Sequence, residues 1–245
     1  MSEALKKENT QALDRFSNKL VNPLAQARNQ YGRLALELLM GGNGDITPLR
    51  LAFTSEVQSI LDASTKQVIP YFSRLTTEEI NLATKQTFED LYRFWVNTRL
   101  FEHSAIIAET ATNDVFRMVE QLIDEDATQR TLEGAIRDYS RASKAQARMI
   151  AATETHQAAM FAKKETATRI QTDSGLEMVK FWNAVEDSRT REDHNAAEIR
   201  YRDGIALDEK FQVGSDSMDR PGDPSASASN IIQCRCVLSV RPKGF

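Results

Sequence analysis

The chain has 245 residues, 41% apolar and 27% charged, with 31 Lys and Arg against 35 Asp and Glu for a net charge of −4. This length allows one or two domains with a sizeable core, and the composition excludes wholesale disorder. The mildly acidic balance excludes coating of nucleic acid by charge alone, and two cysteines cannot supply a disulfide framework.

Glycine and proline divide the chain. Between Leu49 and Ser174 there is one of each, Pro70 and Gly134, whereas four glycines and three prolines follow Gly175. Breakers are scarce where helices run and dense where turns are needed. The expected fold is mainly α: an elongated helical arm or bundle over residues 1–175, then a small α+β domain over 176–245.

The first helix is expected over residues 2–40. Leu13, Phe16, Leu20, Leu24, Ala27, Tyr31, Leu34 and Leu38 recur at steps of three and four. Pro23 predicts a kink or break inside it. Gly41, Gly42, Asn43 and Gly44 end it. Thr47 before Pro48 reads as N-cap and first helical residue of a second helix that runs to Pro70. A third helix is expected from Thr76, which with Glu79 forms a capping box, while Leu75 staples onto Ile80. From there Leu91, Phe94, Thr98, Phe101, Ala105, Ala108, Thr112, Val115, Val119 and Leu122 alternate steps of three and four, a 3.5-residue period. One helix over 76–126 would be roughly 75 Å long. Two helices broken near His103, or one long bundle helix, account for the same pattern. Two more helices are expected over 127–141 and 144–172, with Gly175 as C-cap.

The tail changes period. Residues 178–183 alternate as a strand, 190–199 suit a helix capped by Asp187, Ser188 or Thr190, and Arg202-Asp203-Gly204 is a turn. Residues 205–213 read as strand, 218–230 as loop, and Val237, Leu238 and Val240 as a closing strand. A core of about 65 residues is marginal and often needs a staple.

Few residues point to chemistry. Cys234 and Cys236 sit two apart, and on a strand that spacing puts both thiols on one face, where they can chelate a soft metal or simply pack. His194, the one histidine of the tail, is the candidate third ligand; Asp187 and Asp223 are candidates for a fourth. Arg189 and Arg191 suit phosphate, carboxylate or a solvated helix start. Pro221-Gly222-Asp223-Pro224 is a rigid turn with no catalytic reading. Glu154 and His156 point about 200° apart on a helix and form no local dyad, and His103 is assigned no function. There is no P-loop, GxGxxG, GxSxG or HExxH pattern. Residues 181–245 hold 11 acidic and 9 basic side chains, so the tail is no basic nucleic-acid footprint.

The tail's ordered series is more telling than any piece of it. Trp182 ends a strand; Asp187, Arg189-Thr190-Arg191 and His194 follow; then Gly204, Leu207-Asp208-Glu209, Phe211, Pro221-Gly222-Asp223-Pro224 and Cys234-Arg235-Cys236. This order resembles the C-terminal domain of the phage Mu protein F-like family, the minor head or head morphogenesis proteins of tailed phages. Arg148 to Glu154 looks like the family's R-x-I-A-R-T-E segment, with Ala152 in place of the arginine. The resemblance covers roughly residues 140–240, and residues 1–139 match nothing recognised. Many members carry a second histidine just before an N-C-R-C motif, a set that looks like zinc ligation; here Asn230-Ile231-Ile232-Gln233 stands there instead.

The resemblance implies a structural, non-enzymatic minor head protein that acts at head assembly near the portal, with departure alongside the DNA as one expectation. Its implied partners are portal, scaffold or major capsid protein, with packaged DNA and self-association through the helical arm as further ones. It would sit in the phage head at the portal vertex, and in the host cytoplasm during assembly. No apolar run approaches the roughly 20 residues that span a bilayer, and MSEALKKENT has no signal-peptide core. For His194, Cys234 and Cys236 it implies a structural zinc, against the alternative that Asp187, Arg189, Arg191 and His194 form a polar network holding the cysteine segment. Two rival functions remain: a DNA-binding head-interior protein, and a zinc enzyme or toxin with Glu192 or Asp193 as base.

Overall fold

The structure, a computed structural model, describes residues 3–42, 44–82, 88–124, 128–185 and 187–244. It is mainly α, with long N-terminal helices followed by a small C-terminal region of antiparallel strands. Helices α1 (Glu3–Met40), α2 (Thr47–Ile80), α3 (Phe88–Trp95), α4 (Phe101–Asp124) and α5 (Gln129–Ser174) come first, with a π-helical turn at Val96–Leu100 joining α3 to α4. The tail runs β1 (Met178–Asn183), α6 (Glu192–Arg200), β2 (Ile205–Ala206), β3 (Phe211–Val213), β4 (Asp216–Met218), α7 (Ala228–Ile231) and β5 (Val237–Pro242).

Neither internal proline breaks its helix, so of the kink or break expected at Pro23 the break does not occur, and the second helix does not stop at Pro70 as expected. Pro23 lies within α1 and Pro70 within α2. A helical proline costs about 3 kcal/mol. Burial around each offsets that: Leu20 and Leu24 beside Pro23, and Val68, Ile69 and Phe72 beside Pro70, at roughly 1.5–3 kcal/mol per side chain. At the start of α2 the Asp45 carboxylate, not Thr47, provides the cap, accepting the Thr47 N–H at 2.9 Å.

The capping box at Thr76 and Glu79, with its Leu75–Ile80 staple, is not a helix start. These residues form the last turns of α2, where Thr76 Oγ1 donates to the Phe72 carbonyl at 2.8 Å. α2 ends at Asn81, whose φ of 56° is left-handed. Leu82 N–H returns to Thr77 O and Asn81 N–H to Glu78 O, the paired bonds of a Schellman close. A single helix over 76–126 is thereby excluded, and residues 83–87 lie outside the described residues.

The 3.5-residue stripe survives only in part. Ala108, Thr112, Val115, Val119 and Leu122 are buried, but Phe94, Thr98, Phe101 and Ala105 are exposed. The π turn adds one residue to the helical repeat, so Leu91, Trp95, Leu100 and Ser104 turn inward instead. The helices expected over 127–141 and 144–172 are one, α5, because nothing between Asp138 and Ala147 breaks it.

Two compact units result. One comprises Asn18–Ser64 and Trp95–Ala151, the other Met1–Ser17, Thr65–Phe94 and Ala152–Phe245. They do not coincide with a division at residue 175, because the last turns of α5 pack with the tail. The first unit is built on Leu24, Tyr31, Leu36, Phe53, Val57 and Val115. There Tyr31 stacks on Phe53 at 4.6 Å, and the buried Arg28 pairs with Asp114 at 3.1 Å.

In the second unit α5 is buried all round from Thr155 to Lys163, the mark of a central helix. Its alanines (Ala158, Ala159 and Ala162) admit close neighbours. Lys163 is fully buried and pairs with Glu79 at 2.7 Å and Asn9 at 3.4 Å, tying α1 and α2 to α5. Ile80, Ala167, Ile170, Met178, Leu207 and Val240 form an apolar cluster there.

The tail sheet has order β2-β1-β5, all antiparallel, with Trp182 opposite Leu238, and β3 pairs with β4 separately. The strand expected over 205–213 is two short strands separated by a turn, and the loop expected over 218–230 ends in α7. Gly204 allows the turn into β2: its φ is 79°, and a Cβ would lie 2.8 Å from the Phe181 ring.

Candidate metal centre

Three tail elements bring together the residues that matter. Trp182 stands on β1, His194 on the first turn of α6, and the Cys234-Arg235-Cys236 segment runs extended just before β5. None of Asp187, Ser188 and Thr190 caps α6: its N-cap is Arg191, without a side-chain bond, and the carbonyl of Arg191 accepts from His194 and Asn195. This start aims the His194 ring inward, edge-on to Trp182 at 5.3 Å between centroids.

Ahead of the cysteines, Gln233 adopts a φ of 54° and donates its N–H to Thr153 Oγ1 at 3.1 Å. Both thiols then face the histidine. His194 Nδ1 lies 3.2 Å from Cys236 Sγ and 3.7 Å from Cys234 Sγ, and all three residues are no more than 3% exposed. Their ligand atoms lie within 4.8 Å of one another.

The second nitrogen of His194 sets the tautomer. Asn230 Nδ2 donates to Val213 O at 3.2 Å and Asp216 Oδ2 at 2.7 Å, which leaves its Oδ1 to accept from His194 Nε2–H at 3.2 Å. The Nδ1 lone pair therefore points at the sulfurs, as ligation requires. Hydrogen bonding between the two thiols favours one thiolate in the pair: it pulls Cys234 well down, against burial, and with burial it pushes Cys236 well up. Among the described residues Trp182 Nε1–H has no ordinary hydrogen-bond partner, and it favours the thiolate form of Cys236.

The donor set suits zinc. Bonds of about 2.3 Å to sulfur and 2.0–2.1 Å to nitrogen separate tetrahedral ligands by roughly 3.5–3.8 Å, close to the distances here. A fourth protein ligand does not join the set among the described residues. Asp187 instead clamps Arg235 with both oxygens, at 2.5 and 2.6 Å. That clamp, with the Arg189 amide, holds the Asp187 carboxyl well below the usual range. Arg189 lies 3.4 Å from Asp187, and Arg191 donates to the Ile232 carbonyl at 2.7 Å. The acids of the RTREDH string, Glu192 and Asp193, are exposed.

Asp223 has another task. It accepts from the Asp219 amide at 2.7 Å and from the Ser225 amide and hydroxyl at 3.0 and 2.8 Å. It thereby closes the turn between Pro221 and Pro224. The neighbouring Gly222 has φ 71°, and a Cβ there would meet His156 Nδ1 at 2.6 Å. Burial pushes the Asp223 carboxyl up, but those hydrogen bonds and Arg220 outweigh it and hold it below its ordinary value. Its contribution to stability is therefore present above about pH 4 and is lost as the pH falls through the depressed folded value. Asp223→Ala is expected to cost about 1–3 kcal/mol at pH 7, and thermal melts from pH 6 to 3 should show a smaller acid loss for the variant than for the parent.

Two contributors escape sequence reasoning. His156, buried on α5, donates from Nε2 to the Cys236 carbonyl at 2.7 Å, and Asn230 orients His194. The signal for His156 was its place directly after the segment similar to R-x-I-A-R-T-E; for Asn230 it was its place in the stretch where many relatives carry histidine.

Against known proteins, the model of the phage Mu protein F-like family matches residues 113–239, more than half of the chain. The chain belongs to the phage Mu protein F-like family. Membership makes it a phage head morphogenesis protein and a component of the virion. The match begins inside α4, some way before the resemblance visible from motifs, so the family's shared region includes all of α5. Neither the curated proteins nor the solved structures contain a match. No described helix is long and apolar enough to cross a membrane.

Proposed function

We propose that the chain is a minor head protein stationed at the portal vertex, working by contact rather than by catalysis. The observation that carries this reading is the family match over residues 113–239. Portal, scaffold or major capsid protein are the partners proposed for the helical arm, the tail is a compact docking module, and the protein as a whole leaves with the DNA. The proposed division of labour runs between the helical region over 1–175 and the tail over 176–245, although residues 1–17, 65–94 and 152–174 fold in one unit with the tail. In the tail, His194, Cys234 and Cys236 would hold a structural zinc, which fastens α6 to the segment before β5. Burial of all three favours a staple over a reaction centre, since catalytic zinc keeps a position open to substrate.

Mass spectrometry of purified intact particles tests the placement. A few to a few tens of copies per particle, lost on genome release, are expected on the order of a portal ring's stoichiometry. Absence from intact particles would make the protein a transient assembly factor, and retention in emptied heads would remove the departure with DNA.

A further inference from the structure

The exposed face of α4 combines an apolar stripe with an acidic row. Phe101 and Ile123 are 64% and 65% exposed, and Phe116 is 41% exposed. With the exposed Ala105 they fall within about 60° of arc at 100° per residue, a stripe along the helix. It leaves roughly 350 Å² of apolar surface in water, the size of the largest patch on a typical monomer, which is often functional. Beside it, Glu102, Glu109 and Glu120 fall within about 20° of one another and form an acidic row. Glu102 has only a loose, exposed pair with Arg99 at 3.7 Å, and Arg117 turns away to Asp114. Among the described residues Glu109 and Glu120 have no cationic partner.

We propose that this face docks an amphipathic helix of another head protein whose apolar stripe is flanked by lysine or arginine. The charges choose the occupant. A second copy of this chain would set Glu102 against Glu102 in a parallel pairing and against Glu120 in an antiparallel one, and flanking charges govern helix pairing and its orientation. A basic flank satisfies the acidic row in either direction. The proposal rests on the reading of the chain as a head component that works by contact.

The probe is a designed 21-residue helical peptide with leucines on one face and lysines flanking them, compared with the same peptide carrying glutamates instead. Fluorescence anisotropy with the full chain is expected to show the lysine peptide binding at least tenfold more tightly, with the gap narrowing in high salt. Glu109→Lys with Glu120→Lys should reverse the preference, and Phe101→Ser with Phe116→Ser should abolish binding of both while leaving the circular dichroism unchanged. Equal binding of the two peptides, or no binding of either, overturns the proposal. So does self-association in the ultracentrifuge that the double serine variant removes. Absence from virions would sink the head placement but would leave the peptide preference standing, so the two failures are distinguishable.

Discussion

Protein produced with zinc in the medium is expected to carry about one zinc per chain, and Cys236→Ser to carry almost none. His194, Cys234 and Cys236 supply three buried soft or borderline donors at ligand spacing, with Asn230 holding the imidazole in the required tautomer. Ligation there couples to folding because the unfolded chain has no such site. A strong chelator should therefore lower the melting temperature by about 10 °C or more, from the several kcal/mol that structural zinc contributes. Asn230→Ala should weaken retention about 10- to 100-fold without touching a ligand. Elemental analysis and melting curves read both effects. A metal-free parent whose melting is indifferent to chelator would leave the Asp187–Arg235 clamp and the Arg191 bond to Ile232 as what holds the segment.

Glu79→Gln is expected to be the most damaging single substitution outside the tail, at about 3–5 kcal/mol, because it strands a buried ammonium. Lys163 is fully buried, and Glu79 is the one carboxylate that reaches it among the described residues. Replacing both, Glu79→Leu with Lys163→Met, should recover most of that loss, since buried ion pairs often exchange for apolar contact at little net cost. Urea unfolding of parent, single and double variants reads the difference. A single-variant loss below about 1 kcal/mol would mean that the ammonium finds water or another acceptor.

What could be read from residues alone was mostly local. Gly175 closes α5 with a φ of 72° and an N–H bond to Gln171, as its place after a polar helix end suggests. The alternation from Met178 to Asn183 is a strand, paired with β2 and β5 along its edges, with Met178, Lys180 and Trp182 together on the buried face. The pair at Cys234 and Cys236 faces one way because the segment is extended. The misses share a different cause. Pro23 and Pro70 stay helical because packing from distant segments outweighs a local penalty. Thr76 and Glu79 imitate a helix start, yet the Asn81 backbone and the Lys163 ammonium, 84 residues from Glu79, decide otherwise. The π turn shifts a stripe that a regular helix would have kept in register. His156 reaches the Cys236 carbonyl across 80 residues and Asn230 reaches His194 across 36, so their neighbours in sequence mark the segments but not the partners.

The opening turns of α1 belong with the tail, and Lys163 joins residues 154 positions apart when it meets Asn9. On the ribosome this imposes an order. The unit made of Asn18–Ser64 and Trp95–Ala151 has every residue it needs while the tail is still being synthesised. The other unit must wait, its segments from α1 and α2 already made but their apolar side unclosed, until the last strand emerges. A chain released early would thus expose sticky surface at its beginning, where proteases and chaperones can act on it, and only finished copies would reach the site of head assembly in a closed form.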